Sequence, residues 1–262
     1  MLSDVKGMSM FATVTNTFVY PIKGMHGIET PTLGVSVSPT LGVVGDRTFA
    51  LYKKPDEIPT QWKPKAFFRV AMNTVGISVD HYLTENDLDS LWRPSREVVE
   101  ALATDRGFPL GSYSLVDTGG VRHNADTNKP CVSFLNLASV RALQEAAGVT
   151  VDPRRFRMNV WVEGLPPFYE LDIVTQYGDG TSYEMEVGSL SLPVDDLCER
   201  CRAVDQSPET GTYDLEVQEM LRELLKNRGY GGSPHRGSMQ VMGWLAIPKQ
   251  AGIIKVGDKV DF

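Results

Sequence analysis

Short apolar stretches alternating with polar residues set the pattern of this chain. Thr13–Tyr20 (TVTNTFVY), Leu33–Ser38 (LGVSVS), Thr48–Tyr52 (TFALY), Arg157–Val162 (RMNVWV), Tyr169–Val174 (YELDIV) and Val187–Leu192 (VGSLSL) are rich in β-branched or aromatic residues and bounded by Gly, Pro or Asp. That composition predicts strands. Met239–Ile247 and Ile253–Val260 complete the set. Helical spacing appears in fewer places. Over Asn136–Ala147 (NLASVRALQEAA), Leu137, Val140 and Leu143 share a face, Asn136 can cap the first turn and Gly148 stops the last. Asp214–Asn227 places Leu221, Leu224 and Leu225 together, with Gly229 just beyond. Thr84–Thr104 is helical in composition but broken at Pro94. A few helices among short strands predict an α+β fold, built from one or two small β-barrels with peripheral helices. No internal repeat is evident.

Composition narrows the function. The 262 residues are 42% hydrophobic and 23% charged, as in ordinary globular proteins. A net charge of -7 argues against a general nucleic-acid or membrane-surface binder, which needs a positive field, but leaves room for a local basic pocket. No segment has the length and apolarity of a membrane span, and the N-terminal MLSDVKGMSMFATV lacks the form of a signal peptide. The expectation is a cytoplasmic protein with reduced thiols, consistent with three cysteines at spacings that form no disulfide framework.

Two of those cysteines, Cys198 and Cys201, share the stretch DLCERCRAVDQSPETG. A structural zinc needs four ligands, and neither a second cysteine pair nor a close histidine pair exists, since His26, His81, His123 and His235 are far apart in sequence. A redox dithiol would open a helix after a strand, a context not seen here. The remaining readings are a single functional thiolate or two ordinary buried cysteines.

Six segments together resemble MOSC-domain proteins, the family named for the C-terminal domain of molybdenum cofactor sulfurase. They are YPIKGMHG (Tyr20–Gly27), GDRTFAL (Gly45–Leu51), FLNLASVRAL (Phe134–Leu143), DPRRFRMNVWVEG (Asp152–Gly164), ERCRAVDQSPETG (Glu199–Gly211) and IIKVGDKV (Ile253–Val260), in the family's order. The resemblance implies a small N-terminal β-barrel-like domain over residues 1–95 and a β-barrel MOSC domain over 96–262, as in the mitochondrial amidoxime-reducing component and its bacterial relatives.

The resemblance also implies a molybdenum–molybdopterin site. Cys201 in ERCRAVD maps to the metal-binding and catalytic cysteine. One soft thiolate suits a molybdenum already held by the two dithiolene sulfurs of the pterin. Arg200 and Arg202 flank Cys201 and would favour its thiolate, and Arg200 is also assigned to cofactor binding. Cys198 reads as a neighbour. Lys23 and Arg47 match positions contacting the cofactor's phosphate, although a solvated lysine and an Arg47–Asp46 pair are the plain alternatives. Gly24 stands where a serine is common. Asn136 and Ser139 lie at a predicted helix start that favours an anion, and simple capping explains them equally well. Arg157 and Asn159 match a pterin-lining motif and would share one strand face; otherwise Arg157 pairs with a surface acid.

The turn VDQSPETG is one residue longer than the family's usual form, and HNADTNKP (His123–Pro130) is a polar loop suited to a substrate entrance, with His123 either a proton donor or merely exposed. A C-terminal iron–sulfur domain is not expected after KVGDKVDF. By resemblance, the activity is that of an oxidoreductase, independent of pyridoxal phosphate, which reduces small N-hydroxylated substrates with electrons from an external electron-transfer protein. The alternative is a molybdenum-cofactor carrier or sulfur-transfer module without turnover. Neither nucleic acid nor membrane is an expected partner.

Overall fold

The structure, a computed structural model, describes residues 10–20, 27–37, 42–47, 49–52, 114–117, 131–175, 183–209, 211–232 and 240–262. The strands at the start of the described chain are β1 (Phe11–Val19), β2 (Ile28–Thr30), β3 (Thr32–Ser36), β4 (Gly42–Val43) and β5 (Phe49–Tyr52). They are followed by β6 (Ser114–Asp117), β7 (Val132–Asn136), helix α1 (Leu137–Ala147) and β8 (Val160–Glu163). Helix α2 (Tyr169–Thr175), β9 (Glu184–Val187) and β10 (Leu190–Glu199) come next, then helix α3 (Val217–Asn227), β11 (Val241–Ala246), β12 (Gly252–Lys255) and β13 (Lys259–Asp261). This is the expected α+β class.

The main sheet runs β13-β9-β10-β11-β7-β8-β1-β2, and β13 also pairs with β1, so seven strands close into a barrel with β2 appended. Closure removes the exposed edges of the ring. Strand β1 therefore bridges the start and end of the chain, pairing Phe11 with Asp261 and Thr13 with Glu163. The 95/96 boundary lies outside the described residues. Strands β12-β3-β4 form a second sheet, and β5 pairs with β6.

Alternation along the strands sorts the core into two layers. Phe134, Val160, Val162, Leu192 and Trp244 fill the barrel, where the Phe134 and Trp244 rings stack 5.3 Å apart. Leu135 and Trp161, one residue out of phase, pack outward with Val140, Leu143, Leu221 and Leu225 of α1 and α3. Both faces of β7 are thus covered, and every residue in it is buried. Each such aliphatic side chain contributes about 1.5–3 kcal/mol by leaving water. The β7–β8 pair is parallel, with α1 in the crossover, as parallel neighbours require.

Caps fix α1 as the sequence predicts: Asn136 Oδ1 accepts from Ala138 N, and Gly148 ends the helix in a left-handed turn. Three expectations are corrected. Tyr169–Val174 is helical, because the buried positions are Glu170 and Ile173, one helical turn apart, rather than alternate residues. Val187–Leu192 is a hairpin junction, with Gly188 at φ 58 turning β9 into β10. Ile253–Val260 is likewise two strands, split at Gly257. Residues Thr84–Thr104 lie outside the described residues.

Candidate cofactor site

Three segments distant in sequence meet where β7 and β8 begin. The first is the turn after β4, in which Asp46 is buried and Arg47 pairs with it. Asp46 Oδ1 also accepts from Tyr20 N at 2.8 Å and Asn159 Nδ2 at 3.0 Å. The second is the 3-10 turn Pro153–Phe156, capped by Asp152, whose chain then reaches Arg157 and Asn159. The third is Arg200 at the end of β10.

Arg157 and Asn159 do not share a strand face. Arg157 is the left-handed cap of the 3-10 turn, at φ 52, and β8 begins only at Val160. They still converge, because the turn folds back on Asp46. Arg47 Nη2 donates to the Arg157 carbonyl at 3.2 Å, across 110 residues. Asn159 commits both ends of its amide within the protein: Nδ2 to Phe18 O and Asp46, Oδ1 to Ser133 Oγ at 2.6 Å. It orients Asp46.

Arg47 is also left-handed, at φ 48. Backbone of this kind is uncommon outside glycine and tends to collect at functional sites. The electrostatics point the same way. Burial, then the neighbouring charge of Arg47, with a smaller contribution from Arg200, lowers the Arg157 guanidinium pKa to about 10, against the pull of Tyr20 and Asp46. For Arg47 burial is the largest influence, but Asp46, with smaller help from Cys131 and Tyr20, outweighs it and raises the pKa. Several cations are therefore held where water is scarce, and Arg157 bears the cost.

Arg200 donates from Nη2 to Phe156 O at 2.6 Å and from Nη1 to Cys198 Sγ at 2.9 Å and Met158 Sδ at 3.2 Å. Its Nε is buried with no hydrogen-bond partner among the described residues. The expected pairing of Arg200 with Cys201 is thus replaced by one with Cys198, because successive residues of an extended chain face opposite ways. Arg202 is mostly exposed, 3.7 Å from Asp205, with its guanidinium over the Tyr213 ring.

Cys201 itself is half-buried and extended, at φ -94 and ψ 172, just before the 3-10 turn Arg202–Asp205. Its surroundings are pinned: Arg200 N donates to Gln240 O, Gln218 Nε2 to Arg200 O, and Gln218 N to Asp205 Oδ1. Arg155 ties the two turns together through a two-pronged bond to Asp214 at 2.8 and 2.7 Å. The turn after Asp205 is closed by Ser207 N to Thr212 O and latched by Glu209 to Arg154. Neither Cys198 nor Cys201 is in a disulfide, and both are half-buried. Among the described residues no group of three or more His, Cys, Asp or Glu could hold a metal ion, and no helix is long and apolar enough to cross a membrane.

Asn136 and Ser139 are not in this cluster. They lie where β7 ends, and the acid at that helix start is the protein's own Glu170. Its Oε2 accepts from Ser139 Oγ at 3.0 Å and Asn136 Nδ2 at 3.3 Å, and its Oε1 from Gly243 N at 3.3 Å. Lys23, Gly24, His123 and the HNADTNKP loop lie outside the described residues. Sequence reasoning missed Glu170 as a buried acid. It also gave Asp46 only a pairing role and Tyr20 none, although both sit in the quoted motifs.

The MOSC domain model matches residues 121–261. A molybdenum cofactor sulfurase from Caenorhabditis briggsae is 26% identical over 245 residues, covering 85% of this chain and 33% of that protein. A molybdenum cofactor sulfurase from Caenorhabditis elegans is 33% identical over 92 residues, covering 34% of this chain and 12% of that protein. The chain thus spans about a third or less of these relatives' lengths. Of solved structures, the YuaD protein from Bacillus subtilis aligns over 97% of this chain and 96% of its own at 10% identity, with a TM-score of 0.42. YiiM from Geobacillus stearothermophilus aligns over 50% and 53% at 12% identity, with a TM-score of 0.30. With the family's domain matched over more than half of its length, the chain belongs to the MOSC-domain family.

Proposed function

We propose that the protein binds a molybdenum–molybdopterin cofactor and uses it to reduce small N-hydroxylated substrates. The observation that carries this is the convergence of Arg47, Arg157 and Arg200, buried or half-buried, in a chain with net charge -7, with Cys201 next to Arg200 in sequence. A guanidinium whose charge is disfavoured by burial and by like neighbours is relieved by an anion, and the cofactor ends in a phosphate. The unpartnered Arg200 Nε is a donor of the right kind. Lys23 completes the phosphate-binding set in this reading, and Cys201 supplies the single protein thiolate for the metal.

When bound, the cofactor supplies the two-electron chemistry. Overall the N–O bond breaks, an N–H bond forms and water leaves, with two electrons and two protons consumed; the electrons come from a separate electron-transfer protein. The chain's own residues bind and orient: the arginines fix the phosphate, Asp46 and Asn159 fix Arg47, and Gln218 and Gln240 hold the backbone that presents Cys201.

A second reading, a cofactor carrier or sulfur-transfer module without turnover, is favoured by the similarity to a molybdenum cofactor sulfurase over 85% of the chain. Molybdenum-loaded protein, a benzamidoxime-type substrate and reduced viologen dye separate the two. Substrate-dependent dye oxidation that disappears in Cys201→Ser supports the reductase. Its absence across several N-hydroxylated compounds, with cofactor delivered to a molybdoenzyme lacking it, supports the carrier.

A further inference from the structure

Tyr20 sits among the arginines for a reason its hydrogen bonds do not supply. Its backbone is fixed on both sides, N–H to Asp46 Oδ1 at 2.8 Å and carbonyl to Arg47 N at 2.6 Å. Its hydroxyl reaches Met158 O only at 3.4 Å, and the residue is 2% exposed. What the ring does have is cations. Arg157 Cζ stands 4.5 Å from its centroid and Arg47 Cζ 5.5 Å. Burial drives the phenol pKa upward in spite of those arginines, so the ring stays neutral and offers them only its π-face.

The slot for this ring is cut by a glycine. A Cβ at Gly27 would lie 2.5 Å from Tyr20 Cε1, 2.8 Å from Cζ and 2.9 Å from Cδ1. Any other residue at 27 would displace the ring. Both residues belong to YPIKGMHG, and their contact ties its two ends together.

We propose that Tyr20 is a positioning residue of the anion site, its ring holding the Arg157 and Arg47 guanidiniums together for one anionic group, with Gly27 as the notch that admits it. The proposal rests on the anion-binding reading above. Two guanidiniums this close repel each other in a dry site. A second carboxylate would relieve that repulsion but also neutralise the charge a ligand needs. A neutral aromatic face attracts both cations and leaves their charge available.

The test is calorimetric titration of inorganic phosphate into cofactor-free full-length protein. Tyr20→Phe keeps the π-face and should bind within about twofold of wild type, since the hydroxyl's bond is long. Tyr20→Leu removes both cation–π contacts and should bind about tenfold more weakly. Gly27→Ala, which leaves the tyrosine intact but pushes it aside, should match Tyr20→Leu; it carries the test if the leucine variant does not fold. A purely structural tyrosine would lower melting temperature without separating Phe from Leu in phosphate affinity. Equal affinity in wild type, Tyr20→Leu and Gly27→Ala overturns the role of Tyr20 alone. Failure of wild type to bind phosphate overturns the anion site itself and this role with it.

Discussion

Strand β7 has a buried polar cluster at each end, and the two are built on opposite plans. Where it ends, the Glu170 carboxylate is fully buried and surrounded by neutral donors of the protein: Ser139 Oγ, Asn136 Nδ2 and Gly243 N. Where it begins, Arg47 pairs with Asp46 while Arg157 and Arg200 lie near by, and burial together with mutual repulsion disfavours the Arg157 charge. The Glu170 cluster is closed within the fold and joins α2 to α1 and β11. The arginine cluster brings several cations close to one another, with Asp46 paired to Arg47. Burial opposes the charge of both Glu170 and Arg157, but Glu170 receives three hydrogen bonds from the protein, whereas the Arg157 charge is opposed further by the neighbouring Arg47, a repulsion that an anionic ligand would relieve.

Predictions that break this contrast begin with the thiolate. Cys201→Ser should abolish molybdenum–sulfur coordination, read by X-ray absorption, and with it activity, while Cys131→Ala and Cys198→Ala retain most of both. Cys198→Ala removes one of the two sulfur partners of Arg200 Nη1, leaving Met158 Sδ, and so is not neutral for stability, but it should leave the metal's sulfur ligand in place. Loss of coordination in Cys198→Ala with retention in Cys201→Ser would reassign the ligand.

At the closed end, Glu170→Ala should cost about 3 kcal/mol in urea unfolding, since it strands three buried donors and opens a cavity. Glu170→Gln should cost less, about 1–2 kcal/mol, because its one amide oxygen can still accept from Ser139 and Asn136 while its NH2 cannot accept from Gly243 N. The pair of variants also isolates a pH dependence. Burial raises the folded pKa of Glu170 above its unfolded value, despite the hydrogen bonds that oppose the rise. Wild-type stability from this group is therefore complete below the unfolded value of about 4.3 and is lost as pH climbs through the raised folded one. The stability difference between wild type and Glu170→Gln should widen over that window and then level off; a difference independent of pH would remove the raised pKa.

At the open end the expected sign is reversed. Arg157→Met relieves burial of a charge and its repulsion by Arg47, so cofactor-free protein should gain about 1 kcal/mol while losing affinity for the cofactor. A loss of stability in the cofactor-free variant would mean that Arg157 is a structural residue like Glu170.

The same contrast marks how far the sequence could be read. Helix α1 was legible from its caps, because Asn136 and Gly148 act locally. Strand β1 was legible because its outer residues alternate. Helix α2 was not: YELDIV alternates like a strand, and only the fold reveals that Glu170, nominally polar, is a buried position. The meeting of Arg47, Arg157 and Arg200 was suggested by family resemblance and by nothing local, since contacts across 110 residues leave no trace in spacing. Asp46 and Tyr20 stood next to residues already singled out, yet an acid beside an arginine reads as a surface pair until its burial is known.

The account's central claim is that the arginine cluster, and not the helix start at Asn136, receives the cofactor's anion. It is tested most directly by measuring molybdopterin and molybdenum retained per protein after gel filtration for wild type, Arg157→Gln and Glu170→Gln prepared in parallel. The account predicts retention in Glu170→Gln equal to wild type and a loss in Arg157→Gln of about 1.5–3 kcal/mol in binding, the scale of a charge-assisted hydrogen bond. Full retention in Arg157→Gln, with loss in Glu170→Gln, would contradict it.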